Sequence, residues 1–155
     1  MDKTFVMLKP DAVQRNIVGK IISRFEDKGY YISAMKMLMI SKQQAEDLYA
    51  EHKGKDFYDA LIDFTTASQA VVMVIQGIGE VAADVKWFVG KDKNDKGTIR
   101  GDLCVSDTNR NVVHTSDKES AEREIAIFFS KDELGRWCKR CDEDVIYSDK
   151  DWYNE

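Results

Sequence analysis

Residues 3–9, with the sequence KTFVMLK, form a short and almost continuously apolar run. A run of this length is typical of a buried strand. The only proline in the chain, Pro10, follows it directly, so the sequence contains no proline-rich linker. No internal repeat or composition shift divides the 155 residues either. We therefore expect one domain over residues 1–155, which is long enough to bury a substantial core.

Outward from this strand, strands and helices are predicted in alternation. Further strands are expected at 30–40, 70–76 and 112–114. Apolar residues at helical spacing and helix-start patterns predict five more elements, marked by Val18 to Phe25, Ser41 to Tyr49, Phe57 to Phe64, Val81 to Phe88 and the segment after Ser116. A last helix starts at Ser130. The order β-α-β-(α-α)-β-α-β-α predicts an α+β sandwich.

Three of the helix starts have a capping-box pattern, in which a serine is followed three residues later by Gln or Glu. They are Ser41 with Gln44, Ser116 with Glu119, and Ser130 with Glu133. Residues 90–111 show little periodicity and predict a loop without structure of its own. Loops of that length in compact domains are often functional.

The composition restricts the possible functions. A net charge of −5 argues against a broad basic face for nucleic acid, although a small anion site needs only a few cations. The longest apolar runs, 4–8 and 70–75, are far too short to span a membrane. Three cysteines suit a reducing compartment, and Cys138 and Cys141 are expected to be ordinary thiols because no second pair completes a zinc site.

His114 is one of only two histidines, and it ends a β-branched run just before a helix start. Such a residue could be a nucleophile facing a cleft, or it could cap the helix or fill a crevice. His52 lies in a polar stretch, which predicts a surface position.

Other residues have similarly divided interpretations. Lys9, at the end of the first strand, could bind phosphate or could simply be exposed to solvent. The same two alternatives hold for Arg100, which lies beside Gly101. Asn111 could bind a ligand hydroxyl or could be an ordinary turn residue. Glu124 could hold an imidazole nitrogen or be solvated.

Phe57 and Leu61, one helical turn apart, could clamp a flat ring or belong to the core. A histidine, a carboxylate, two cations, an amide and an aromatic wall together suit phosphoryl transfer, which depends on positioning and charge neutralisation.

These residues lie in three ordered motifs, and with them the chain resembles the nucleoside diphosphate kinase family from Thr4 to about Leu134. The motifs are KPDAVQR at 9–15, GTIRGD at 97–102 and NVVHTSD at 111–117, the last followed by ESAEREI at 119–125. The resemblance implies a ferredoxin-like α/β sandwich with a four-stranded antiparallel sheet. It also implies transfer of the γ-phosphate of ATP or another nucleoside triphosphate to a nucleoside diphosphate such as ADP, GDP or a deoxy form, with Mg²⁺ carried mainly on the nucleotide phosphates.

The resemblance further implies a role for each site residue. His114 would become a phosphohistidine in a ping-pong mechanism, held by Glu124 with Ser116 nearby. The residues that would contact phosphate, sugar or base are Lys9, Tyr49, Lys86, Arg100, Asn111, Phe57 and Leu61. A stacking wall favours no particular base, so broad nucleotide specificity is expected.

The resemblance also implies a homo-oligomer, a hexamer or smaller assembly built from dimers. The cysteine usage, the short apolar runs and the acidic net charge predict a cytoplasmic protein without membrane or specific nucleic-acid partners. Several departures from the family stand against full activity. Lys86 replaces an arginine, Asp92 replaces a threonine and would repel phosphate unless it turns away, and the segments 90–97 and 114–124 are shorter than usual. The alternative function is therefore a catalytically weakened, nucleotide-binding regulatory member.

Overall fold

A computed structural model describes residues 2–135, so Cys138 and Cys141 lie outside the described residues. The strands are β1 (Asp2–Leu8), β2 (Tyr31–Met39), β3 (Gln69–Gly77) and β4 (Val113–Thr115). The helices are α1 (Pro10–Gln14), α2 (Val18–Asp27), α3 (Lys42–Leu48), α4 (Tyr58–Thr66), α5 (Val81–Val89), α6 (Ile99–Leu103), α7 (Ala121–Phe128) and α8 (Lys131–Gly135), with a 3₁₀ turn at Ala50–His52. Over this part of the chain, no helix has the length and apolarity that crossing a membrane requires.

The four strands form one antiparallel sheet in the order β2-β3-β1-β4. This arrangement confirms the predicted α+β sandwich and its antiparallel sheet. Strand β1 lies in the interior of the sheet, where it pairs with β3 over its whole length and with the short strand β4 near its end. In that second pairing Met7 lies opposite His114.

Strand β1 contributes to a hydrophobic core on each face of the sheet. Val6 and Leu8 pack in one core, and Phe5 and Met7 pack in the other; all four are fully buried. Successive side chains of a strand point to opposite faces, so a strand between two cores is apolar at every position. The first core is completed by residues of α2 and α5, and the second by residues of α3, α4 and α7.

Two of the three predicted capping boxes are confirmed. Ser41 and Gln44 bond reciprocally at the start of α3, and Ser130 and Glu133 do so before α8. The third prediction is wrong, because α7 begins only at Ala121 and its preceding residue has no side-chain cap. The Ser116 hydroxyl instead donates to the Glu124 carboxylate, so this hydroxyl makes a tertiary contact and not the predicted helix cap.

The prediction of a structureless loop at 90–111 is also wrong, since α6 lies within it. The Thr98 hydroxyl accepts from the backbone N–H of Gly101 and caps this helix. Helix α1, which Pro10 opens at a position that proline favours, was likewise not predicted. Both helices have five residues, too few for a helical repeat of apolar positions to show in the sequence.

The segment before α6 is packed so closely that only glycine fits at position 101. A Cβ atom there would lie 1.9 Å from the backbone oxygen of Asp95. Such a contact requires the backbone to move, because a backbone oxygen has no alternative rotamer.

We predict that Gly101→Ala lowers the free energy of unfolding by at least ~2 kcal/mol through this clash. Gly19→Ala is the matched control, because nothing lies within 4 Å of a Cβ at position 19 in α2. Alanine there should leave stability unchanged or raise it by up to ~1 kcal/mol. Urea unfolding of both variants measures the difference, and equal stabilities would contradict the prediction.

Candidate functional site

A cleft of about 640 Å³ opens at the end of β1. Seven of the ten residues that the sequence singled out line it: Lys9, Tyr49, Phe57, Leu61, Arg100, Asn111 and His114. The remaining three lie next to it. Lys86 and Glu124 line an adjoining cleft of about 270 Å³ that also contains His114, and Ser116 bonds to Glu124. The fold therefore brings all ten together.

His114 is held by a buried carboxylate. Its Nε2 lies 2.8 Å from Glu124 Oε2, and the same oxygen accepts from the Ser116 hydroxyl at 2.5 Å. Burial alone would raise the pKa of Glu124, but the hydrogen bonds from His114 and Ser116 hold that pKa below its ordinary value. With Nε2 bound to an ionised acceptor, Nδ1 is the nitrogen left for chemistry.

The shorter segment between His114 and Glu124 does not separate the two side chains. The chain turns at 118–120 and α7 then begins at Ala121, which places Glu124 in the first turn of the helix. Because Ser116 is not used as a helix cap, its hydroxyl is available to the same carboxylate. This turn brings the Glu124 carboxylate to the His114 ring.

Lys9 and Asn111 form one polar unit on the wall of the cleft. Lys9 is 5% exposed, and its Nζ donates to Asn111 Oδ1 at 2.8 Å and to the Asn109 carbonyl at 2.9 Å. Burial, with a smaller effect from Arg100, lowers the pKa of Lys9 to about 8. The acceptors are neutral, so the ammonium charge is not cancelled by a bonded carboxylate.

Arg100, like Lys9, donates to neutral oxygen atoms. Its guanidinium donates to the carbonyls of Val113 at 2.6 Å and Gly90 at 3.1 Å, and its buried Nε has no hydrogen-bond partner among the described residues. Burial lowers the pKa of Arg100 from its ordinary value. Two cations thus face the cleft with backbone and amide partners only.

The aromatic side of the site contains His52, a partly exposed residue to which the sequence gave no role in the site. His52, predicted to lie on the surface, lines the cleft and stacks on Tyr49 at 6.1 Å between ring centroids. Tyr49 in turn contacts the His114 ring edge-on at 5.4 Å. Phe57 is 45% exposed at the cleft, whereas Leu61 belongs to the core and contributes to the wall as well.

The hydroxyl of Tyr49 is buried and has no hydrogen-bond partner within residues 2–135. Burial raises the pKa of Tyr49, and the nearby Thr65 hydroxyl opposes this rise only slightly. The Thr65 hydroxyl itself donates to the Leu61 carbonyl at 2.7 Å.

Lys86 and Asp92, the two substituted positions, are both engaged with other groups. Lys86 forms an ion pair with Asp117 across the mouth of the adjoining cleft, and each side chain is more than half exposed. Asp92 Oδ1 accepts from the Asn94 backbone at 2.8 Å, so it is used within its own turn. The neighbouring Lys93 pairs with Asp107 at 3.1 Å.

Several site residues gave no signal in the sequence. Asp107, Thr108 and Asn109 line the cleft, but they lie in a polar stretch without periodicity. Asp11 was noted only as part of the Lys-Pro-Asp segment, although its side chain binds the backbone near His114. Among residues 2–135 no group of three or more His, Cys, Asp or Glu side chains could hold a metal ion.

We predict that Glu124→Gln lowers the free energy of unfolding at pH 7 by roughly 1–3 kcal/mol, because two buried hydrogen bonds lose their ionised acceptor. The folded pKa of Glu124 lies below its ordinary value of 4.5, so this stabilisation is present above pH 4.5 and is lost as the pH falls through the folded pKa. Urea unfolding should therefore show the two proteins converging at low pH. Glu122→Gln, an exposed carboxylate on the same helix, is the control and should change little at any pH.

Comparison with known proteins gives a consistent result. The sequence profile of the nucleoside diphosphate kinase family matches residues 2–134. The nucleoside diphosphate kinase of Archaeoglobus fulgidus is 49% identical over 154 residues, covering 97% of this chain and 100% of that protein. The corresponding protein of Methanocaldococcus jannaschii is 50% identical over 137 residues, covering 86% of this chain and 96% of that protein.

Solved structures agree with the sequences. A halophilic nucleoside diphosphate kinase from Halobacterium salinarum, in complex with CDP, superposes with a TM-score of 0.83 at 40% identity, covering 90% of this chain and 94% of the other. The Aquifex aeolicus nucleoside diphosphate kinase gives a TM-score of 0.80 at 29% identity, covering 85% and 97%. The chain belongs to the nucleoside diphosphate kinase family.

Proposed function

We propose that the protein transfers the γ-phosphate of ATP, or of another nucleoside triphosphate, to a nucleoside diphosphate through a phosphohistidine at His114. One observation carries the proposal: the His114 imidazole is held at Nε2 by the buried Glu124 carboxylate, in a cleft that also presents the buried Lys9 and the half-buried Arg100. A fixed nucleophile beside cations whose hydrogen-bond partners are neutral is what phosphoryl transfer requires.

In the first half-reaction Nδ1 of His114 attacks the γ-phosphorus. A nitrogen–phosphorus bond forms while the bond from that phosphorus to the oxygen bridging the β-phosphate breaks, and the nucleoside diphosphate leaves with the electron pair. The imidazole gains positive character, which the Glu124 carboxylate stabilises at Nε2. Lys9 and Arg100 neutralise charge on the phosphate oxygens, and the buried Tyr49 hydroxyl offers a further contact.

The second half-reaction reverses these steps with a different acceptor. A terminal oxygen of the incoming diphosphate attacks the phosphorus, and the bond to Nδ1 breaks. The base would stack on Phe57 beside Leu61, and Asn111 would reach the sugar hydroxyl. Stacking accepts every base, which supports use of ADP, GDP and their deoxy forms. That the Halobacterium salinarum relative was solved with CDP supports a nucleotide in this cleft.

We propose that Mg²⁺ enters with the nucleotide, because this ion is usually bound through substrate phosphates. The fit supports this: the wall of the cleft presents cations at Lys9 and Arg100, which suit phosphate oxygens rather than a metal ion held by the protein. When bound, the ion would supply further charge neutralisation at the phosphates.

Lys86 is proposed to bind phosphate from the other side of His114. It lines two clefts there, both shared with His114. To reach phosphate it must leave Asp117, an exchange of partners that an exposed ion pair permits at little cost. The catalytically weakened alternative predicts ADP binding without turnover, and the intact His114–Glu124 contact favours the active enzyme over it.

The labelling experiment uses ATP with radioactive γ-phosphate. We predict an acid-labile, alkali-stable phosphate on the wild-type protein, discharged by GDP with formation of GTP. His114→Ala should lose the label by at least ~1,000-fold, since the nucleophile is gone. His52→Ala is the matched control because His52 is the only other histidine in the chain, and it should keep the label. A wild-type protein without label, or equal labelling of His114→Ala, contradicts the proposal.

We also propose that the protein is a homo-oligomer built from dimers, and a cytoplasmic one, as its few cysteines suggest. Strand β2 is an edge of the sheet, and Met35, Met37 and Met39 on one of its faces are 53%, 53% and 55% exposed. These methionines continue a core face, since Met35 pairs with Met73 and Met37 with Val71. An apolar stripe on a strand that is at the edge of the sheet formed by residues 2–135 supports association with a second copy.

Light scattering tests this assembly. We predict a wild-type molar mass at least twice the 17.8 kDa of the chain at micromolar concentration. Met37→Glu should reduce it, because a charge in the centre of the stripe opposes burial. Ala126→Glu, which adds the same charge at an exposed site on α7, should not. A monomeric wild-type protein would refute the proposal.

A further inference from the structure

Val112 has a backbone conformation that valine rarely adopts. Its φ is +60°, and the side chain is fully buried. The backbone N–H of Val113 donates to the Asn111 carbonyl at 2.7 Å, which closes a γ-turn around Val112 with a positive φ. A β-branched residue in this region is strained by about 1–3 kcal/mol, so something must hold it there.

Both peptide groups of Val112 are bound to the segment that follows β1. The N–H of Val112 donates to Asp11 Oδ2 at 3.1 Å, and its carbonyl accepts from the backbone N–H of Lys9 at 2.9 Å. The second bond is a backbone contact that any residue at position 9 except proline provides. The first depends on the side chain of Asp11.

The burial of Asp11 is costly. The residue is 7% exposed, and its Oδ1 is buried without a hydrogen-bond partner among the described residues. Burial raises the pKa of Asp11 above its ordinary value, although the Val112 N–H and the Lys9 charge oppose the rise. Packing would be served better by an apolar side chain, and the hydrogen bond to Val112 is the largest of the interactions that offset the burial of the carboxylate here.

We propose that Asp11 is a positioning residue, which holds Val112 in its left-handed turn and thereby fixes Asn111 and His114 on the two sides of that turn. Asn111 precedes Val112 directly and accepts from Lys9, while His114 follows two residues later and faces Glu124. If the turn relaxed, these two side chains would move relative to each other. The effect on phosphate transfer rests on the proposed function, whereas the positioning of the His114 ring does not.

The experiment compares three variants: Asp11→Ala, Asp11→Asn, and a double variant that combines Asp11→Ala with Val112→Gly. We expect Asp11→Ala to slow phosphohistidine formation at saturating ATP by at least ~10-fold, because the strained turn is released. Asn keeps an oxygen acceptor, so Asp11→Asn should stay within ~3-fold of the wild type. Glycine adopts a positive φ without strain, so Val112→Gly should restore part of the rate that Asp11→Ala loses.

Asp2→Ala is the matched control. Asp2 Oδ2 accepts from the backbone N–H of Val81 at 3.0 Å, an equivalent bond at the opposite end of β1. Its loss should lower the melting temperature without changing the rate. All rates are measured well below each melting temperature, and Asp11→Leu replaces Asp11→Ala if the alanine variant does not fold.

The ring resonances of His114 in NMR spectra give a second readout that needs no turnover. They should shift in Asp11→Ala, return toward the wild type when Val112→Gly is added, and stay in place in Asp2→Ala. Unchanged resonances in a folded Asp11→Ala variant, or a loss of rate that Val112→Gly does not relieve, would overturn the proposal. A wild-type protein that carries no phosphate, with the resonances behaving as expected, would refute the proposed function and leave the role of Asp11 intact.

Discussion

Strand β1 is buried on both faces, and the position of the site depends on this constraint. Its alternating side chains enter two separate cores, so the strand cannot shift along its neighbours without exposing apolar groups. The site is attached to it at three places. The chain leaves β1 through Lys9 and Asp11, Met7 pairs with His114, and the carbonyl of Phe5 accepts from the backbone N–H of Ser116. A site fixed to a doubly buried strand takes its rigidity from the core.

The negative and positive charges of the site have different kinds of hydrogen-bond partner. Glu124 has its negative charge committed to His114 and Ser116, whereas Lys9 and Arg100 bond to carbonyl and amide oxygens. A chain of net charge −5 thus contains two neighbouring cations in one cleft whose hydrogen-bond partners are neutral oxygens. Backbone carbonyls can orient a cation without cancelling it, which is why they suit a site that must attract phosphate.

The sequence was sufficient for elements whose signal is local. The four strands and the cap at Ser41 follow from runs, periods and pairs within a few residues. The same reasoning failed at Ser116, because the local Ser-x-x-Glu pattern there is identical to that of a true cap. The deciding partner, Glu124, comes close only through the turn at 118–120. The polar neighbours of His52 likewise give no indication that the fold stacks this partly exposed residue on Tyr49. Val112 gave no signal, since a positive φ is ordinarily marked by glycine.

The bonds of Arg100 also have an entropic consequence. A free arginine side chain loses about 1–2 kcal/mol of rotational freedom when it is ordered. Because Arg100 already donates to the carbonyls of Val113 and Gly90, that loss is incurred during folding rather than at the encounter with a ligand. An incoming phosphate therefore meets a donor whose conformational freedom has already been removed, and association is less opposed by entropy than it would be with a mobile cation.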